Sequence, residues 1–162
     1  MKIRDVIKSR QEDEIPQPVY RALVYMVENF SEEMNLDELS EEAQTSKFNL
    51  CRSFNRRYGV PPMRWLWIFR VLLAAEFIKL APDWSLTDIA FTCGFCSSAH
   101  FSRNFSAVMK RSPSSYRRRL LNKNYADSSR MSKKFAYDKI FQNNFEPVAS
   151  AFQQMLSQRY MA

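Results

Sequence analysis

Residues 85–116 read SLTDIAFTCGFCSSAHFSRNFSAVMKRSPSSY, and the chain carries an earlier version of this pattern, displaced by about fifty residues. The earlier copy contains Leu36, Leu39, Ser40, Ala43, Ser46, Leu50, Arg52, Phe54, Pro62 and Trp65. The later copy contains Leu86, Ile89, Ala90, Cys93, Ser97, Phe101, Arg103, Phe105, Pro113 and Tyr116. An internal repeat indicates one supersecondary unit used twice. The helical spacing of the apolar positions is typical of two short helices crossing over a small core, the design of a helix-turn-helix.

The composition agrees with a helical protein. The chain has 162 residues, is 46% hydrophobic and contains only 2 glycines. Such a chain can bury one sizeable core, and runs of alternating polar and apolar residues are scarce. We therefore predict an all-α, homeodomain-like fold of two helix-turn-helix subdomains joined by a long linking helix, with a helical C-terminal extension.

The pattern divides the chain into five parts. We predict a leader over residues 1–18, a first unit over 19–60, a linking helix over 61–81, a second unit over 82–121 and an extension over 122–162. The leader is too short to form a ligand-binding domain. The extension is rich in aromatic residues and lies outside the repeat, so its role stays open between regulation, dimerisation and binding of a partner.

Helix boundaries are marked by capping residues and prolines. An apolar stripe at spacings of three and four predicts a helix from Val19: Val19, Leu23, Met26, Val27 and Phe30. Side chains that can cap the following helices are Asn35, Ser46, Ser85 and Ser97. Gly59 is predicted to end the preceding helix in a left-handed conformation. Pro61 and Pro62 open the linking helix, which should end at Leu80 and form a rod about 28 Å long.

The net charge of +7 is distributed unevenly. Residues 1–45 hold 5 basic and 11 acidic residues, whereas residues 46–121 hold 13 basic and 3 acidic residues. Because the basic excess falls on the repeat, a polyanion is the expected partner. The sequence shows neither a signal peptide nor an apolar run long enough to span a membrane. We expect a cytoplasmic, nucleoid-associated protein with three reduced cysteines and no membrane contact.

The second helix of each unit presents a row of residues opposite its buried side. With Leu50 and Phe54 inward, the exposed row of the first unit is Phe48, Cys51, Arg52 and Asn55. With Phe101 and Phe105 inward, the exposed row of the second is Ala99, Ser102, Arg103 and Ser106. Arginine can bond a guanine edge in the major groove, and aromatic or small apolar groups can contact a thymine methyl. We expect these rows to read bases in double-stranded DNA.

Basic and hydroxyl side chains flank both rows. We expect phosphate contacts from Ser46, Lys47, Arg56, Arg57, Ser97, His100, Lys110 and Arg117. Such contacts fix the docking of a protein without reading sequence. For Arg56, Arg57 and Arg117 the alternative, a solubilising surface, stays open. For the two arginines of the exposed rows, the alternative is that they are ordinary solvated helix residues. The recurrence of Arg52 and Arg103 at the same place in both copies argues against that alternative.

The run from Val19 to Leu121 resembles the double helix-turn-helix domain of the AraC/XylS family of bacterial transcription regulators. The resemblance is carried by Ser85–Phe95, by Phe101–Phe105 and by Ser112–Arg117. Earlier marks are Leu50–Phe54, Gly59–Pro62, and Arg70 with Ala74. The motifs occur in the family's order, so the match is specific.

The resemblance implies two recognition helices on one chain, placed in successive major grooves of promoter DNA. It assigns base reading to Phe48, Cys51, Arg52, Ser98, Ala99, Ser102 and Arg103. It implies contact with RNA polymerase and leaves activation and repression as alternatives, with activator as the expected role. The short chain is similar to the family's stand-alone members.

Two positions depart from the family pattern. Lys110 stands where the family usually has glycine, and Gln44 replaces a glycine common in the first turn. Each departure predicts either a different local backbone or a left-handed residue under strain.

The sequence offers residues for two other classes of function. Cys93, Cys96 and His100 form a pattern reminiscent of zinc or thiol chemistry, but a fourth zinc ligand is lacking and Cys93 matches the core residue Ala43. Neither a nucleophile paired with a base nor a glycine-rich phosphate loop is present, so no enzyme, metal or cofactor is expected. The remaining alternative is an interaction module that acts through residues 122–162 without specific DNA reading.

Overall fold

The computed structural model describes residues 16–122, and within that range every regular element is an α-helix. Seven helices follow one another in the described range: α1 (Gln17–Glu28), α2 (Leu36–Glu42), α3 (Lys47–Tyr58), α4 (Pro62–Leu80), α5 (Leu86–Thr92), α6 (Ser98–Met109) and α7 (Pro113–Leu121). The helices α2 and α3 form the first predicted pair, and α5 and α6 form the second. The expectations for the leader before residue 16 and for the extension after residue 122 lie outside the described residues.

The first helix begins two residues before its predicted start. Pro16 occupies the N-cap position and Pro18 lies in the first turn, where the missing N–H of proline costs no helical hydrogen bond. The predicted start at Val19 was therefore late by two residues. The whole stripe from Val19 to Phe30 is buried, as predicted, and α1 packs against α2 and α3.

The four predicted caps are confirmed by their hydrogen bonds. The side chains of Asn35, Ser46, Ser85 and Ser97 each accept a hydrogen bond from the backbone N–H three residues further on. Each bond satisfies one of the N–H groups that a helix leaves unpaired at its N-terminus. The starts of α2, α3, α5 and α6 are thus fixed by local chemistry.

The linking helix α4 is the centre of the fold. It runs from Pro62 to Leu80, as predicted, and 13 of its 19 residues are buried. On one side it packs against α3, and on the other it packs against α5, α6 and α7. Aromatic rings extend these contacts, since Trp65 stacks on Phe69 with 5.4 Å between centroids and Phe77 stacks on Trp84 at 5.5 Å. Both helix-turn-helix units are therefore built on a common helix.

The three residues singled out by the sequence at helix ends all adopt left-handed backbone conformations. Gly59 closes α3 with a φ of 72°. Gln44 has a φ of 55° in the turn of the first unit, and Lys110 has a φ of 61° at the end of α6. A side chain in this region crowds the following carbonyl. Of the two alternatives for Gln44 and Lys110, the structure adopts the strained left-handed residue.

Candidate nucleic-acid interface

The helix α3 is held by its buried side and presents a mixed apolar and basic surface. Leu50 and Phe54 are fully buried beneath it. On the opposite side Phe48 is 71% exposed, Arg52 is exposed and Cys51 is half-buried. A large exposed aromatic ring beside an arginine is unusual on a solvated surface and suits contact with a base edge.

Two predicted contact residues of the first unit already have partners within the protein. The side-chain amide of Asn55 donates to the carbonyl of Cys51, 3.0 Å away, so it lies along its own helix. The ammonium of Lys47 pairs with the Asp37 carboxylate at 2.5 Å, and this contact raises the pKa of Lys47. Each contact uses only one of the hydrogen-bonding groups of its side chain. The sequence spacing gave no sign of either contact.

The helix α6 repeats the arrangement with smaller side chains. Phe101, Phe105 and Val108 are buried, and the opposite face carries four exposed residues: Ser98, Ala99, Ser102 and Arg103. The hydroxyl groups of Ser98 and Thr87 lie 3.4 Å apart, which connects the start of α6 to α5. Because three of the four side chains are small, the helix surface can approach a groove closely. Ser106 is half-buried.

His100 is half-buried at the start of α6 and packs against aromatic rings. Its ring meets the Trp67 ring edge to face at 4.5 Å, and its Nδ1 lies 3.5 Å from the Cys96 thiol sulfur. Burial lowers the pKa of His100, and the charges of Arg103 and Arg70 lower it further. A neutral imidazole can donate only one hydrogen bond to a phosphate.

The other predicted phosphate contacts differ in their surroundings. Arg56 and Lys110 are exposed, and Arg57 lies half-buried with its guanidinium 5.7 Å from the ring of Tyr58. Ser46 and Ser97 cap their helices, so their hydroxyl protons are available to a partner while their oxygens accept.

Arg117 is half-buried, and burial lowers its pKa. Its Nε and Nη2 atoms are shielded from solvent and have no hydrogen-bond partner among residues 16–122. A buried guanidinium in this state normally finds an anion.

The cysteine and histidine pattern divides between the core and the surface. Cys93 is fully buried at the end of α5, and burial raises the pKa of its thiol. Cys96 is exposed. No cluster of three metal-binding side chains occurs within residues 16–122. Cys93 thus takes the place of the small core residue Ala43, as the repeat predicts.

Two residues of the linking helix that the sequence patterns assign to no site lie beneath this surface. Trp67 contacts His100, and Arg70 lies over the Trp67 ring with 4.6 Å from the guanidinium carbon to the ring centroid. The available signal was a single arginine inside an otherwise apolar helical run.

None of the helices in the described part of the chain is long and apolar enough to cross a membrane.

Residues 39–119 match the family model described as a helix-turn-helix domain. The match covers both helix pairs and the linking helix between them. The chain belongs to the AraC/XylS family of DNA-binding transcription regulators. Its family membership confirms the resemblance carried by the sequence motifs.

Known proteins similar to this chain include full-length regulators and isolated domains. The HTH-type transcriptional activator RhaS of Escherichia coli O139:H28 is 34% identical over 91 residues, which are 56% of this chain and 32% of that protein. RhaS of Pectobacterium carotovorum subsp. carotovorum is 34% identical over 101 residues, 62% of this chain and 36% of that protein. The chain thus spans about a third of the length of these curated relatives.

A solved structure extends the similarity to a protein bound to DNA. The DNA-binding domain of the global transcriptional factor AdpA, in complex with a target DNA, has 26% identity and a TM-score of 0.62. The similarity covers 68% of this chain and 99% of that domain. The fold described above is therefore that of a DNA-binding domain.

Proposed function

We propose that this regulator reads an asymmetric promoter site by inserting α3 and α6 into successive major grooves. The observation that carries the proposal is the repeated exposed row opposite a buried aromatic or aliphatic core. Arg52 and Arg103 occupy matching positions in the two rows, and both are exposed. Arginine bonded to the O6 and N7 of guanine is the commonest specific contact in the major groove.

The proposed base-reading set is the one that the sequence predicts: Phe48, Cys51, Arg52, Asn55, Ser98, Ala99, Ser102 and Arg103. The 71% exposure of Phe48 supports its place, since a thymine methyl would remove that ring from water. The first unit therefore offers more side chains for base contacts. The second unit contacts bases mainly through Arg103, and its small side chains let the helix backbone come close to the groove.

The proposed phosphate contacts are Ser46, Lys47, Arg56, Arg57, Ser97, His100, Lys110 and Arg117. Arg117 is half-buried, and two of its guanidinium nitrogens have no partner in the described part of the chain, so its charge is not compensated there. A phosphate at the exposed part of the guanidinium would compensate this charge.

The spacing of the two units supports docking on one face of the duplex. The linking helix is a rod of about 28 Å, whereas successive major grooves on one face are about 34 Å apart. The shortfall is met by bending the DNA, at a cost of about 1–6 kcal/mol, or by one unit contacting only the backbone. Units on one chain lack two-fold symmetry, so a single molecule should occupy an asymmetric site.

Contacts beyond DNA are also part of the proposal. The RhaS relatives carry the name of transcriptional activators. We propose the same role here through contact with RNA polymerase, in a nucleoid-associated cytoplasmic protein. Residues 122–162 are proposed as a separate extension for a protein partner or for dimerisation, following the domain limits predicted from the sequence.

The test is selection of bound sequences from random duplex DNA, followed by two variants of the full chain. Arg103→Ala should lower affinity for the selected site by about 1–3 kcal/mol and leave binding to random DNA nearly unchanged. Arg117→Ala should weaken binding to every duplex and reduce the salt slope by about one unit. Equal losses on selected and random DNA for Arg103→Ala would refute its assignment. Salt-sensitive binding without any motif would favour the interaction module.

A further inference from the structure

The buried charge of Arg70 connects the linking helix to the first unit. The residue lies near the middle of α4 and is only 2% exposed. Its Nε donates to the Phe30 carbonyl at 2.7 Å, and its Nη2 donates to the Glu32 carbonyl at 2.8 Å. Both carbonyls belong to the loop between α1 and α2. Burial lowers the pKa of Arg70 to about 10, so the guanidinium remains charged at neutral pH.

The turn of the second unit packs against the same guanidinium. Gly94 lies in this turn, between α5 and α6, with a φ of 87°. A Cβ atom added there would lie 2.6 Å from the Phe30 carbonyl oxygen and 2.9 Å from Arg70 Nε. Both distances are shorter than van der Waals contact. The loop of the first unit and the turn of the second unit therefore meet at Arg70.

The contact continues from Arg70 to the proposed recognition helix α6. The guanidinium carbon lies 4.6 Å from the centre of the Trp67 ring. That ring contacts Phe95 at 5.5 Å and His100 at 4.5 Å. Because His100 belongs to the first turn of α6, an unbroken series of packed groups joins the first unit to the start of α6.

We propose that Arg70 is a positioning residue that fixes the orientation of α6 relative to α3 and thereby makes the protein select a single half-site spacing. The orientation of α6 stands on the contacts above, whereas the selection of one half-site spacing rests on the proposed function. One base pair more or less moves a half-site by about 3.4 Å and rotates it by about a tenth of a turn. While Arg70 is bonded to both carbonyls, the two units cannot move apart or rotate by this amount. One of the units therefore loses its base contacts when the spacing changes.

The first experiment needs no DNA and uses thiols that the chain already has. Cys51 lies on α3 and Cys96 precedes α6, whereas the buried thiol of Cys93 is protected from reagent. Spin labels on Cys51 and Cys96 report the distance between the two units in the full-length protein. The wild type should give one narrow distance distribution, and Arg70→Met should broaden it clearly. Val108→Ala, at the far end of α6, is the control for a loss of core packing.

Two milder variants keep the proposal testable if Arg70→Met does not fold. Arg70→Lys keeps the charge but loses the fork that reaches both carbonyls, and Trp67→Leu removes the ring while leaving both hydrogen bonds. Each should broaden the distribution less than Arg70→Met and more than Val108→Ala. Distributions as narrow as the wild type in every folded variant would overturn the proposal, whatever the protein does with DNA.

The second experiment measures binding to the selected site with one base pair inserted or removed between the half-sites. The wild type should lose affinity by about tenfold or more, since base contacts of one unit are lost. The Arg70 and Trp67 variants should lose less than about threefold. If each variant binds every spacing more weakly than the wild type by the same factor, Arg70 serves stability alone and the proposal is overturned. Failure to select any site, with a broadened distribution, would refute the proposed function and leave the positioning role supported.

Discussion

Replacing Lys110 by glycine should stabilise the protein and lower its affinity for DNA. Lys110 ends α6 with a φ of 61° and a ψ of 24°, and its N–H donates to the Ser106 carbonyl at 3.0 Å. A side chain in the left-handed region costs about 1–2 kcal/mol. Glycine removes this cost, but its greater freedom in the unfolded chain costs about 0.4–1 kcal/mol. The midpoints of the two costs differ by about 0.8 kcal/mol, and a gain of about this size in the free energy of unfolding is expected for Lys110→Gly.

Urea denaturation of the full chain, followed by circular dichroism, measures this gain. Gln44→Gly tests the same geometry in the first unit, where φ is 55°, and should stabilise by a similar amount. Ser102→Gly is the matched control, because Ser102 is exposed on α6 within regular helix and glycine there should cost a few tenths of a kcal/mol. If Lys110→Gly destabilises as much as Ser102→Gly, the strain does not exist.

The same variant tests why lysine stands at this position. Lys110→Gly removes a proposed phosphate contact, so the salt slope of DNA binding should fall by about one. A gain in stability with a loss of affinity is the trade expected where a functional charge occupies a strained backbone.

Two further variants test local features of α6. Ser97→Ala removes the N-cap bond to the His100 N–H and should cost about 1 kcal/mol in the free energy of unfolding, whereas Ser102→Ala should not destabilise. His100→Asn tests the single histidine by replacing it with the residue at the matching position of the first unit. Because burial, Arg103 and Arg70 lower its pKa in the folded protein, the unfolded chain binds the proton first. Wild-type stability should therefore fall as the pH drops from about 7.5 through the ordinary histidine pKa of about 6.5, and His100→Asn should remove that dependence. Matching urea midpoints for the wild type at pH 7.5 and 6 would contradict this reasoning.

The helices and their caps could be predicted because each depends on residues close in sequence. Asn35, Ser46, Ser85 and Ser97 each bond to an N–H three residues away, and the apolar spacing that follows each cap is visible in the sequence. The start of α1 was predicted late because Gln17 has no cap and no apolar signal. Local chemistry thus determines most of the fold.

The partners of the site residues could not be predicted in the same way. Asn55 turns back to the Cys51 carbonyl, and Lys47 reaches Asp37, through side-chain conformations that the apolar pattern does not specify. Arg70 meets carbonyls 38 and 40 residues earlier in the chain. An arginine in an apolar run indicates a buried partner but not which one. Its partner emerges only when both units pack on α4.

The turns of the two units show how packing separates positions that the sequence makes equivalent. Gln44 and Gly94 both follow a buried small residue, and both N–H groups donate to a carbonyl three residues earlier at 3.0 Å. Both adopt positive φ, so conformation alone would favour glycine in each turn. The Gln44 side chain is exposed, and only backbone strain opposes it. At Gly94 the Phe30 carbonyl and the Arg70 guanidinium also occupy the space of a Cβ atom. The first turn therefore tolerates a side chain at the cost of strain, whereas the second requires glycine because the two units meet there.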